Sequence, residues 1–345
     1  MKYRNFVAKK KSLYQNEVSY VKNLHIALCF DREFIMPAGV ALYSIISNNR
    51  HINLHFHLLI SGIEEKECSA FYELEGPNTS ISVYYITDKF DINPDTLVLG
   101  IPLSTCLRFL IPEVIDDKIN NILYLDCDAI CNGPLDELVD YNLNADIACV
   151  IPDSPEMQER VKKLGYGIEF INYFNAGVML INTSEWKKNN ITQKALEMIN
   201  SGKVYRYADQ DVLNILLNGR VHYLDKKYNN KTTLSVRCDE EQKNLPNTII
   251  MHYVTQNKPW YKIFRAQNFD HYFSNSPWKN YKRNLAPSSS EIRLKSKVFW
   301  LEGKYCKAIS YYYKYLLVKL FGLKIYLECN YENSIYRRSC FWFWL

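Results

Sequence analysis

Two carboxylates one residue apart, Asp126 and Asp128, close the apolar run of the segment LYLDCDAI, residues 123–130. An Asp-x-Asp fed from a strand into a turn offers two hard oxygen ligands, and it does so at a carboxyl end, where open α/β sheets place what they bind. The chemistry implied is a divalent cation holding a diphosphate. Taken alone, the same pair also reads as two solvated turn residues, so the rest of the chain has to decide.

Four further clusters fall just past expected strand ends or at helix starts, where a cleft would gather them. They are Cys29-Phe30-Asp31, Tyr173-Phe174-Asn175-Ala176-Gly177, Ala208-Asp209-Gln210-Asp211, and His252-Tyr253 followed by Lys258-Pro259-Trp260. Each has a purely structural alternative. Asp31 could cap the following loop, Asn175 could turn the chain, and Asp209 could be a helix N-cap with Asp211 favouring the helix dipole.

The elements that must position these residues alternate. An apolar strand over 24–30 is followed by a helix opened by Pro37 and running to 49. Residues 52–60 then alternate with period two, a strand whose other face carries His55 and His57, read as polar or helix-covered sheet residues. Helix 64–75, strand 80–86, a helix over 103–115 interrupted by Pro112, and strand 121–125 lead to the two carboxylates. Strands at 147–151, 176–181, 220–224 and 248–253 follow, with helices near 184–200 and 209–217. Such alternation implies an α/β fold built on one mostly parallel, doubly wound sheet flanked by helices. Neither GxGxxG after the first strand nor GxxxxGK[ST] is present, which removes the main support for dinucleotide-binding and P-loop readings.

The 345 residues, 48% hydrophobic, suffice for one large domain plus a smaller extension. Ten cysteines are scattered without a CxxC pair, which favours reduced thiols; Cys127 and Cys131 lack a second pair and read as core rather than a zinc half-site. Residues 1–23, with Lys9-Lys10-Lys11, read as an extension without a signal-peptide run, and no stretch is apolar enough to span a membrane. The net charge of +5 hides an asymmetry. Residues 281–345 hold twelve Lys and Arg against four Asp and Glu, whereas the preceding residues hold thirty against thirty-three. A basic charge confined to one terminal segment of an acidic body argues against nucleic acid as a partner.

Taken in order, YLDCD, YFNAGVMLIN, YADQDVLN and HYVTQNKPW resemble glycosyltransferase family 8 over residues 24–280, and NNRHINLHF, EMQE and SPWK resemble its lipopolysaccharide outer-core members. The resemblance implies a GT-A fold over 24–286 and a retaining, metal-dependent transfer from a UDP-sugar. It assigns Asp126, Asp128 and His252 to a Mg²⁺ or Mn²⁺ ion, two carboxylates and an imidazole suiting Mn²⁺ somewhat better. It matches Asp31 to the uracil contact, with Glu33 beside it, and Phe34 could stack on the base. Arg108 and Lys258 would meet the diphosphate, and Cys127 lies within the motif itself. Asp153, Asn175, Asp209 and Asp211 match residues lining the donor-sugar pocket. Gln210 falls beneath the anomeric carbon, with Asp209 adjacent in the catalytic set; as a neutral amide Gln210 is a poor nucleophile, which favours front-side attack by the acceptor hydroxyl. One departure stands out: Thr255-Gln256-Asn257 replaces the Gly-Pro that many relatives carry before KPW.

The expected activity is transfer of glucose or galactose from UDP-glucose or UDP-galactose, in α linkage, to lipid A-core lipopolysaccharide. The expected place is the cytoplasmic side of a Gram-negative inner membrane. Residues 287–345 form a small basic, aromatic helical extension expected to associate with an anionic membrane surface, since Tyr and Trp favour the headgroup zone and Lys and Arg attract anionic lipid. The alternatives are a family member acting on capsule or protein-linked glycan, and a non-enzymatic membrane-binding module.

Overall fold

Strands buried on both faces need layers of helix above and below, and both layers are present. A computed structural model describes residues 2–322, leaving aside 20, 21, 88, 91, 94, 95, 97–100 and 167–171. Its strands are β1 (Val7–Gln15), β2 (Asn23–Phe30), β3 (Asn53–Ile60), β4 (Thr79–Ile86), β5 (Asn121–Leu125), β6 (Ala129–Cys131), β7 (Ala148–Pro152), β8 (Phe174–Asn182), β9 (Val221–Tyr223), β10 (Asn230–Thr232) and β11 (Ile250–Tyr253). Eight form one sheet in the order β1-β4-β3-β2-β5-β8-β7-β9, and β10-β11-β6 form a second, small sheet. The pairings β4–β3, β3–β2, β2–β5 and β7–β9 are parallel; only β1 and β8 run against their neighbours. The expected mostly parallel α/β sheet is therefore what the chain forms.

One apolar core lies under the helix Ile35–Asn48 and includes Leu28, Phe56, Phe71, Trp278 and Tyr315; the other lies under the helices of 103–114 and 183–217 and includes Phe109, Tyr124, Trp186 and Leu213. Cys127 and Cys131 are buried in the first core, as packing rather than zinc ligation requires.

Several elements differ from the sequence reading. Residues 7–15, within the stretch taken as an N-terminal extension, are an edge strand paired antiparallel with β4 from Val7–Ile86 to Gln15–Ser80. The helix expected over 184–200 is two, Thr183–Lys188 and Ile191–Ile199, because Asn190 takes a left-handed φ of 54° that an α-helix cannot continue through. Residues 65–74 and 103–110 wind as 3₁₀ helices.

The C-terminal segment is a helical hairpin, Ser289–Leu301 and Tyr305–Phe321, turned at Gly303 with φ 72°. The Ser296 hydroxyl donates to the Ala308 carbonyl (2.7 Å), and Ile292 and Tyr315 join the first core, so the hairpin packs on the body. Its outer side leaves Trp300, Leu301, Ile309, Tyr312, Leu320 and Phe321 exposed. No described helix is long and apolar enough to cross a membrane. Lys324, Tyr326, Arg337, Arg338, Trp342 and Trp344 lie outside the described residues.

Candidate active site and metal centre

The carboxylate pair occupies the turn that carries the chain from the large sheet to the small one. Asp126 follows β5, its backbone N–H donating to the Gly177 carbonyl (2.8 Å), and Ala129 N–H donates back to the Asp126 carbonyl (3.2 Å) to close the turn. β6 then pairs antiparallel with β11, setting His252 opposite Ala129. Two strands from different sheets thus bring Asp126, Asp128 and His252 together, with one ligand atom of each within 4.8 Å of the others. Gly177 makes this approach possible, since a Cβ there would lie 2.3 Å from His252 Cε1 and 2.7 Å from Asp126 Oδ2.

The donor set fits a cation. His252 Nδ1 meets Asn229 Oδ1 at 3.0 Å, so the proton sits on Nδ1 and Nε2 presents a lone pair. That lone pair faces Asp128 Oδ1 at 3.1 Å and Asp126 Oδ2 at 3.8 Å. Asp128 Oδ1 is buried without a hydrogen-bond donor, and three acceptors converging on one point call for a positive charge between them.

Permanent cations flank the three. Arg108, 3% exposed, donates from Nη1 to the Ala176 carbonyl (2.7 Å) and from Nη2 to Asp126 Oδ1 (3.0 Å), while Nε lies 2.9 Å from Asp209 Oδ2. The Tyr124 hydroxyl also donates to Asp126 Oδ1, and the guanidinium lies 4.5 Å above the Tyr124 ring. Burial pushes the Asp209 carboxyl up, and Arg108 offsets part of that rise. On the other side Lys258 Nζ donates to Asp128 Oδ2 (2.5 Å) and to the Tyr253 carbonyl (2.8 Å). Burial raises the Asp128 carboxyl, yet the ammonium beside it holds it below the usual carboxylate range.

Asp126, Asp128 and Lys258 border a cleft of about 740 Å³ lined also by Phe34, Cys127, Asp153, Asn175 and Gln210, among others, while Arg108 and His252 are buried behind that lining. Gln210 Oε1 accepts from Asn175 Nδ2 (3.0 Å) and Ala176 N–H (3.1 Å), and its amide nitrogen donates to the Tyr173 hydroxyl (3.2 Å) and Asp153 Oδ2 (3.5 Å). Cys127 is held by its thiol on the Cys29 carbonyl (3.6 Å). Phe34 meets Trp260 edge-on, centroids 5.7 Å apart.

Four expected site residues lie elsewhere. Asp211 is fully buried, with Tyr166 and Tyr173 hydroxyls and Tyr207 N–H (2.8 Å) donating to it, so in this conformation it supports the wall instead of lining the cleft. Asp209 stands behind Arg108. Asp31 and Glu33 border a neighbouring depression, although the Ser104 hydroxyl, which does line the cleft, donates to Asp31 Oδ2 (2.8 Å).

Sequence reasoning missed Asn229, Lys231, Tyr124 and Gly177's packing role. Lys231 lines the cleft and donates to Asp153 Oδ1. Its place was hidden because β10 is only three residues long, and only the register Lys231–His252 reveals that it stands beside His252.

Comparison with known proteins gives a consistent result. The family model for glycosyl transferase family 8 matches residues 25–263, and that for the family 8 C-terminal region matches 265–319. The chain is 31% identical to a lipopolysaccharide 1,2-glucosyltransferase of Escherichia coli, over 83% of this chain and 88% of that one. It is 30% identical to a lipopolysaccharide 1,3-galactosyltransferase of Salmonella typhimurium, over 86% and 91%. Among solved structures, an active-site Gln-to-Glu variant of LgtC superposes with a TM-score of 0.60 at 25% identity, covering 73% of this chain and 94% of that one. The galactosyltransferase LgtC with donor and acceptor sugar analogues gives 0.59 at 24% identity, over the same shares, and shows the same fold.

Proposed function

Because this chain belongs to glycosyl transferase family 8 and has the GT-A fold, we propose that it is a retaining hexosyltransferase that takes glucose or galactose from a UDP-sugar. The acceptor we propose is lipid A-core lipopolysaccharide, on the strength of relatives named for 1,2-glucosyl and 1,3-galactosyl transfer to lipopolysaccharide. The observation that carries the reading is the convergence of Asp126, Asp128 and His252 at a cleft flanked by Arg108 and Lys258.

In this reading Asp126, Asp128 and His252 hold Mg²⁺ or Mn²⁺, which when bound supplies Lewis-acid neutralisation of the departing diphosphate. Arg108 and Lys258 add permanent positive charge on either side, already oriented by the carboxylates they touch and so requiring little reorganisation. Asp31 and Glu33 are the proposed contacts of the base, Asp31 being linked to the cleft through the Ser104 hydroxyl, and Phe34 offers an aromatic face. Asp153, Asn175 and Gln210 present directional partners to sugar hydroxyls. Gln210 Oε1 already accepts two hydrogen bonds, which supports a role in orienting and stabilising the sugar as an electron-deficient ring develops, with front-side attack by the acceptor hydroxyl. The exposed aromatic side of the C-terminal hairpin is the element proposed to rest on an anionic membrane on the cytoplasmic side.

The test is a donor panel with truncated lipopolysaccharide as acceptor, with and without chelator. Metal-dependent transfer of one hexose with retained configuration is expected. A glycosyl adduct trapped on Asp209 or Asp211 would overturn front-side attack, and absence of UDP-sugar turnover by folded, metal-supplied protein would overturn the enzyme reading.

A further inference from the structure

We infer that Asn229 is a positioning residue that fixes the tautomer of His252 and the orientation of Gln210 through one polarised chain of side-chain amides. The inference rests on reading Asp126, Asp128 and His252 as metal ligands. Asn229 is 1% exposed, ends the short 3₁₀ helix Lys226–Tyr228 and directly precedes β10, so both its backbone and its side chain are held.

The direction of the chain follows from two backbone groups that can only donate. Gly177 N–H lies 3.1 Å from Asn175 Oδ1, and Ala176 N–H lies 3.1 Å from Gln210 Oε1. Each identifies the atom it touches as the amide oxygen, which settles an assignment that is otherwise ambiguous for Asn and Gln. Asn175 must then turn its Nδ2 toward Gln210 Oε1 (3.0 Å) and accept on Oδ1 from Asn229 Nδ2 (2.9 Å). Asn229 is left with its oxygen facing His252 Nδ1 (3.0 Å), which must carry the proton. Strand β8, through two of its own N–H groups, thus determines which nitrogen of a histidine on β11 is free to bind a cation.

The same chain holds Gln210 with its amide nitrogen toward Asp153 and Tyr173. Asn229 is where the metal side and the sugar side of the cleft meet. Two substitutions separate these arms. In Asn229→Asp, one carboxylate oxygen still accepts from His252 Nδ1 while the other opposes Asn175 Oδ1, acceptor against acceptor, which disturbs only the Gln210 arm. In Asn229→Ala both arms lose their partner.

The experiment titrates Mn²⁺ into metal-stripped, full-length protein and reads free Mn²⁺ by electron paramagnetic resonance, with near-ultraviolet circular dichroism to verify folding. UDP-sugar hydrolysis at saturating Mn²⁺ is measured alongside. Asn229→Ala is expected to weaken Mn²⁺ binding by about 10- to 100-fold, the usual effect of losing the partner that orients a ligating histidine. Asn229→Asp is expected to bind Mn²⁺ at least as tightly as wild type, with kcat reduced about 10-fold or more at saturating metal because Gln210 is no longer fixed. Wild-type Mn²⁺ affinity in Asn229→Ala overturns the histidine arm, and wild-type kcat in Asn229→Asp overturns the Gln210 arm. Failure of wild-type protein to bind Mn²⁺ at all overturns the metal reading beneath both.

Discussion

Asp126 and Asp128 share a motif but not an environment: Arg108 and Tyr124 hold the first, Lys258 the second. Replacing either by Ala should leave the chain folded, because both stand on a turn whose closure is made by backbone groups, and should lower transfer by about 10³-fold or more, the equivalent of several kcal/mol of lost charge stabilisation. Initial rates and a circular dichroism melt check the two halves of that expectation. Thr255 carries a different kind of cost. A β-branched residue at φ 73° is strained by roughly 1–3 kcal/mol, and it borders the cleft in the segment Thr255-Gln256-Asn257. Thr255→Gly is therefore expected to raise the unfolding free energy by about 1 kcal/mol once glycine's greater unfolded-state freedom is subtracted, read as a higher urea midpoint. An unchanged or lowered midpoint would show the strain to be offset by contacts of the Thr side chain.

At the scale of elements, what was legible from sequence is what period and local order record. The strands leading to Asp31 and Asp126 and the helix carrying Gln210 fall within two residues of expectation, because apolar runs and helix-opening residues are written locally. The strands β1, β6 and β10 were not legible. β1 reads as a basic stretch, Lys9-Lys10-Lys11, and becomes a strand only because β4 offers an unpaired edge; β6 and β10 are three residues each and exist through pairing with β11. Asn229 was invisible for the same reason, an Asn among turn residues until the register sets it beside His252. Deleting residues 1–22 should expose the β4 edge, lowering the melting temperature and promoting association, which light scattering would report. The C-terminal hairpin makes a second prediction. Since Ile292 and Tyr315 belong to the core, the cleaner probe of lipid binding is Trp300→Ser with Tyr312→Ser on the exposed side. Vesicle flotation with anionic lipid should fall while the melting temperature holds; undiminished flotation would remove the membrane reading for this surface.

At the scale of the whole molecule, the face of the large sheet that carries Tyr84 holds a histidine cluster, His57 buried and His25 and His55 half-buried, to which no ligand role is assigned. His25 Nδ1 meets His57 Nε2 at 3.1 Å and stacks on His55, with His57 Nδ1 3.2 Å from the Tyr84 hydroxyl. Burial, and then the neighbouring His55, lower His25 to about 4 from an ordinary 6.5. The unfolded chain therefore binds more protons than the folded one between those values, so stability should decline as pH falls from about 6.5 towards 4, and His55 and His57, both lowered first by burial, add to that decline. Urea midpoints across that window check it, and His25→Asn should lessen the slope. The turn between β5 and β6 has a larger consequence. Asp126 stands at the end of the large sheet and His252 on the small sheet, so a cation held by both, as proposed, belongs to the folded state alone. Its binding free energy is then added to the cohesion of the two sheets, about 2.7 kcal/mol at a hundredfold excess over the dissociation constant. The melting temperature becomes a gauge of site occupancy: a ranking of Mg²⁺, Mn²⁺ and Ca²⁺, alone and with a nucleotide diphosphate, can be read from thermal shifts before any acceptor has been found.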